Sequence, residues 1–105
     1  MHLAIRAFPG HDPAFRRMCA RVEVGLTQEL AVLPGFRLHL AACCVDRLCL
    51  SLMVFERRPQ LVAGIDLARA WSRGRLEDLV AESRPTEMLL GETLFLRSPP
   101  PPPGC

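Results

Sequence analysis

From Leu48 to Phe55 two apolar series interleave. Leu48, Leu50, Leu52 and Val54 alternate with Cys49, Ser51, Met53 and Phe55. Successive side chains of a strand point to opposite faces, so this pattern predicts a strand that is apolar on both sides. Residues 36–43 form a second such run, and Val45-Asp46-Arg47 near its end marks an antiparallel hairpin. Residues 2–8 alternate Leu3, Ile5 and Ala7 against His2, Ala4, Arg6 and Phe8, which predicts a short first strand. A last strand is expected over residues 87–96, after Pro85.

Two stretches carry helical spacing instead. Phe15, Met18, Cys19, Val22, Leu26, Leu30 and Leu33 fall three and four apart and form one stripe. Asp12 is a suitable N-cap, Pro13 fits the first helical position, and Pro34-Gly35 ends the helix. A second helix is expected over residues 59–80, with Leu61, Ile65, Ala68, Leu76 and Leu79 on its buried side. Gly64 and Gly74 weaken it, and a bend or break is expected around Ser72-Arg73-Gly74-Arg75.

The order strand–helix–strand–strand–helix–strand predicts an α+β, ferredoxin-like domain with a four-stranded antiparallel sheet over residues 1–97. Its helices cover one sheet face, and the other face must meet water, a ligand or another chain. Leu50, Leu52 and Val54 are expected toward the helices. Cys49, Ser51, Met53 and Phe55 are then expected on the bare face, against a second copy of the chain. The Pro-rich residues 98–105 are expected to be a disordered tail of polyproline character.

The chain has 105 residues, half of them apolar, which suits one domain with a real core. A net charge of +2 from scattered arginines gives no basic patch for nucleic acid. The basic residues are all Arg, and Lys, Asn and Tyr are absent. Cysteines number five, an odd count, and the N-terminal residues do not read as a secretory signal. A reducing cytoplasm is therefore expected, with thiols acting as small apolar groups. With Asp46-Arg47 as a two-residue turn, Cys44 would oppose Cys49, which leaves a cross-strand disulfide as an alternative. No apolar run reaches the roughly 18 residues of a membrane span. No CxxC or finger-like spacing points to a metal.

The stretch "LPGFR", a hairpin ending in "VFE" and a helix carrying "ARAW" together resemble the antibiotic biosynthesis monooxygenase-like proteins of the dimeric α+β barrel superfamily. The resemblance runs over residues 2–96. It implies a ferredoxin-like protomer that pairs sheet to sheet into a homodimeric barrel. It also implies a small aromatic or polyketide-like molecule, or haem, bound between sheet and helices, and in some members oxygenation with neither metal nor flavin. An Asn–Trp–His catalytic set cannot be carried over to a chain without Asn.

The remaining candidates are few. His39 titrates in the range of a general base, and its face depends on the hairpin register. Arg6 is expected to point away from the helices, toward an anionic substrate or a carboxylate of the partner protomer. Trp71, Phe55 and Met53 are candidate pocket walls against an aromatic substrate, with core packing the alternative for Trp71. Glu56 is expected to contact an arginine. The functional expectation is a homodimer that binds a small aromatic or apolar molecule, with oxidation open and no tight cofactor. The alternative is a non-catalytic dimeric ligand-binding or protein-interaction module.

Overall fold

A computed structural model describes residues 1–9, 13–44, 48–80 and 87–97. The Pro-rich tail lies outside the described residues. Four strands, β1 (His2–Pro9), β2 (Phe36–Cys44), β3 (Leu48–Phe55) and β4 (Glu87–Glu92), form one sheet in the order β2-β3-β1-β4. All three neighbouring pairs are antiparallel. Helices α1 (Pro13–Val24), α2 (Leu26–Ala31) and α3 (Arg58–Arg75), with the short α4 (Glu77–Val80), complete the ferredoxin-like α+β fold.

The first helical stripe is read correctly but it is carried by two helices. The chain breaks at Gly25, where a Cβ would collide with the indole ring of Trp71. Trp71 on α3 therefore wedges into the α1–α2 junction, and Arg75 lies over its ring at 5.4 Å. The stripe still buries Phe15, Met18, Leu26 and Leu30. The second helix likewise ends at Arg75, and Leu76 separates it from α4. Arg21 of α1 forks onto both carboxylate oxygens of Asp78 at 2.9 and 3.1 Å and donates to the Arg75 carbonyl, so it fastens this break to α1.

Gly35 enters β2 with φ of +79°, a left-handed backbone that a Cβ disfavours. Its carbonyl accepts the Glu56 amide at 2.9 Å, closing the far end of the hairpin. Glu56 meets Arg37 at 3.1 Å, the arginine contact expected of it. At the start of α3, Gln60 Oε1 accepts the Arg57 amide at 3.0 Å.

The faces of β3 are the reverse of the expectation. Cys49, Met53 and Phe55 join the core under the helices, and Phe55 is 0% exposed. Gly64 gives the reason. A Cβ there would press on the Phe55 ring, so α3 crosses the sheet where only the glycine lets the aromatic fit. Phe36 adds an edge-on contact with Phe55 at 5.8 Å. The opposite face carries the partly exposed Leu50 and Leu52, and Val54, which the chain itself covers to 2% exposure. The register continues it through Leu3, Ile5, Leu38 and Leu40, and Leu89 of β4 sits opposite Ile5. Leu40 is 43% and Leu89 51% exposed. The bare face is thus more apolar than expected, with leucine in place of Met53 and Phe55.

Candidate functional site

Pairing fixes which strand residues look toward the helices. Ala4 and His39 both oppose Met53, Arg6 and Ala41 both oppose Ser51, and Phe8 and Cys43 both oppose Cys49. These residues share one face because they are cross-strand partners of the buried row. Arg6 therefore points under the helices, and the expectation that it points away from them is corrected. The cause is the same reversal: the helix side carries Phe8 and Ala4 as anchors, and Arg6 shares their parity.

The polar members of this row meet in a cavity. It is enclosed by Ala4, Arg6, Phe8, His39, Ala41, Ser51 and Met53 from the sheet. Phe15, Met18, Cys19, Val22, Leu26, Ala68, Ser72 and Leu76 cover it. Its volume is about 80 Å³. That is about half of the ~150 Å³ at which an apolar cavity accepts benzene. Met18 and Met53 are unbranched and soft, so these two walls yield most readily to a ring. A more open recess of about 240 Å³ adjoins it, sharing Arg6, Phe8, Met18, Ser72 and Leu76 and adding Arg69 and Arg73.

His39 is oriented within this cavity. Its Nδ1 lies 2.8 Å from Thr27 Oγ1 of α2, which leaves Nε2 as the other ring nitrogen. Burial, with the Arg6 charge second, holds its pKa below the ordinary value. Both effects disfavour imidazolium, so the ring is neutral at pH 7 and able to take a proton. Arg6 is lowered as well, first by burial and then by repulsion from Arg69. Among the described residues no hydrogen bond or ion pair satisfies its guanidinium.

Of the candidate residues, His39, Arg6 and Met53 line the cavity. Trp71 and Phe55 do not; both are core residues, Trp71 at 4% exposure against Gly25 and Phe55 beneath Gly64. Ser51, expected on the bare face, lines the cavity instead, and Thr27, Ser72, Arg69 and Arg73 also belong to the region. Arg69 and Arg73 stand one turn apart on α3, a spacing visible in the sequence. Thr27 gives no such signal, since only the tertiary crossing of α2 over β2 brings it to His39.

The cysteine pair also differs from expectation. Cys43, not Cys44, opposes Cys49, and their sulfurs are 2.6 Å apart. Residues 45–47 of the turn lie outside the described residues. Burial and the neighbouring Cys43 raise the pKa of Cys19. Among the described residues no cluster of His, Cys, Asp and Glu is arranged to hold a metal ion. No described helix is long and apolar enough to cross a membrane.

No protein-family model and no curated protein sequence matches the chain. Solved structures do. A monooxygenase of Streptomyces coelicolor, in complex with the ligand nanaomycin D, superposes with a TM-score of 0.62 at 19% identity. The match covers 94% of this chain and 92% of that one. The cofactor-independent oxygenase SnoaB of Streptomyces nogalater gives 0.64 at 18% identity, over 90% and 94% of the two chains. A dimeric ferredoxin-like protein from an uncultured marine organism gives 0.68 at 8% identity, over 91% and 98%.

The chain shares the ferredoxin-like α+β fold of these structures. At these identities the likeness establishes the fold alone. Within that fold, the space between sheet and helices brings partly buried polar groups together. It holds a neutral imidazole, a half-buried guanidinium and the Ser51 hydroxyl row against apolar walls.

Proposed function

We propose that the chain is a cytoplasmic homodimer that binds a small aromatic molecule between sheet and helices and oxidises it without a bound cofactor. One observation carries this reading: His39, fixed by Thr27 and kept neutral, borders the same cavity as the unpaired Arg6. Neutral His39 takes a phenol proton, and the resulting anion is the electron donor to dioxygen. For hydroquinone the balance is closed. One oxygen atom adds to the ring, which becomes hydroxybenzoquinone, and the other leaves as water. Arg6 holds the anion, and the apolar walls exclude solvent. The resemblance to oxygenase folds supports the reaction class, and a chamber of about 80 Å³ argues against several fused rings.

The dimer is the natural occupant of the leucine face. An apolar layer running across four strands is larger than isolated surface leucines explain. The dimeric ferredoxin-like neighbour supports this assignment. The second reading, a non-catalytic dimeric ligand-binding module, draws on the smallness of the inner chamber and on the core roles of Trp71 and Phe55.

The test is oxygen uptake with hydroquinone, corrected for autoxidation, with ¹⁸O₂ labelling of the product. One labelled oxygen per product, lost in His39→Ala with the fold intact, supports catalysis. Retention of a small molecule in a native mass spectrum without oxygen uptake supports the binding module instead.

A further inference from the structure

The recess outside the cavity is lined by Arg6, Arg69 and Arg73 and, among the described residues, by no acidic one. Among the described residues none of the three arginines makes a hydrogen bond or ion pair. Arg6 is half-buried, and the nearest charge acting on it is the like charge of Arg69. Guanidinium groups removed from water are ordinarily paired with a carboxylate, because unpaired burial is costly. Even the exposed Arg21 and Arg37 have carboxylate partners, in Asp78 and Glu56. At the recess three arginines converge without a carboxylate among its described lining residues.

The arrangement has two compartments with opposite tastes. The inner chamber is walled by Phe8, Phe15, Met18, Met53 and Leu26, and the outer recess presents the guanidinium groups at its rim. Arg6 and Phe8 belong to both. A planar guanidinium fork suits a carboxylate, which it grips through two parallel hydrogen bonds.

We propose that the ligand is a single-ring aromatic carboxylate, its ring in the inner chamber beside His39 and its carboxylate held by Arg6 with Arg69 and Arg73 at the rim. The inference deepens the binding reading above and rests on it. Arg6 supplies the half-buried contact. Arg69 and Arg73, both exposed, add screened attraction and guide entry.

Calorimetric titration of the intact protein with 2-hydroxybenzoate, 2-hydroxybenzamide and acetate tests it. The aryl carboxylate is expected to bind at least about tenfold more tightly than the neutral amide, with acetate far weaker still. Arg69→Gln and Arg73→Gln, surface changes that leave the core alone, should each weaken the carboxylate about two- to fivefold at low salt. Arg6→Gln should weaken it about tenfold or more. Ala41→Leu fills the inner chamber and should weaken carboxylate and amide alike.

Equal binding of carboxylate and amide, unaffected by the arginine changes, overturns the anion inference and leaves the cavity reading standing. Acetate matching the aryl carboxylate, with no effect of Ala41→Leu, overturns the cavity reading and with it the aromatic part of the proposal. Absence of binding by all three compounds overturns both.

Discussion

Thr27 Oγ1 sits 2.8 Å from Nδ1 of His39, joining α2 to the middle of β2. This contact sets the ring's orientation and leaves Nε2 for the cavity. Thr27→Val keeps the shape and deletes the hydroxyl. It should cost about 0.5–1.5 kcal/mol in chemical denaturation. If turnover is present, it should fall more than stability does, because the base then loses its orientation.

The His39 environment also fixes a pH dependence. The folded ring has a lowered pKa, while the unfolded ring protonates at its ordinary value of about 6.5. Below that value the unfolded state binds the extra proton, and unfolding is favoured. The His39 contribution is therefore fully present above about pH 6.5 and is lost as the pH falls through the lowered folded value. Denaturation curves between pH 5 and 8 should show this slope in the wild type and a flatter one in His39→Gln. Equal slopes would mean that His39 protonates as freely in the fold as in the unfolded chain.

Two glycines should respond to the same substitution with opposite signs. Gly25 faces the Trp71 ring, so Gly25→Ala forces the indole or the α1–α2 junction to move, at about 1–3 kcal/mol. Gly74 has open space around its Cβ position inside α3. Gly74→Ala should stabilise by about 0.5–1 kcal/mol through helix propensity. Thermal melts of the two variants compare them directly.

Cys43 and Cys49 are direct cross-strand partners. Oxidised glutathione should convert the two thiols into one bridge with release of two reduced glutathiones. Attack begins at the half-exposed Cys43, since Cys49 is buried. Peptide mass spectrometry should find the 43–49 linkage, and Cys43→Ser should abolish it. A linkage through Cys44 would contradict the register.

Leu40→Glu places a charge on the exposed leucine face at a position that is not in the core cluster. Sedimentation should show a dimer for the wild type and a monomer for this variant, with the same melting cooperativity. A wild-type monomer at high concentration would contradict the occupant assigned to that face.

Much of the fold was legible because two periodicities rarely conflict in this chain. The stripe from Phe15 to Leu30 and the hairpin around Asp46 identify the βαββαβ order without any contact information. The break at Gly25 was not legible, since the cause is a ring 46 positions away in Trp71. Nor was the choice of sheet face. Both series of β3 are apolar, so strand parity groups Cys49 with Phe55 but cannot say which group the helices cover. Gly64 decides it, through a crossing that exists only in three dimensions. The same choice carried Arg6 and His39 into the cavity. Polar residues at mid-strand read as solvent-facing, yet here they belong to the buried row because the site itself is there.

The most direct test is where a ligand lands. Methyl resonances of Met18 and Met53 line the cavity, whereas Met1 and the bare-face residues Leu40 and Leu89 do not. In a methyl-labelled sample titrated with 2-hydroxybenzoate, Met18, Met53 and the His39 ring should shift saturably with one affinity, while Met1, Leu40 and Leu89 stay in place. Shifts confined to Leu40 and Leu89 would put the ligand on the open sheet and contradict a binding site beneath the helices.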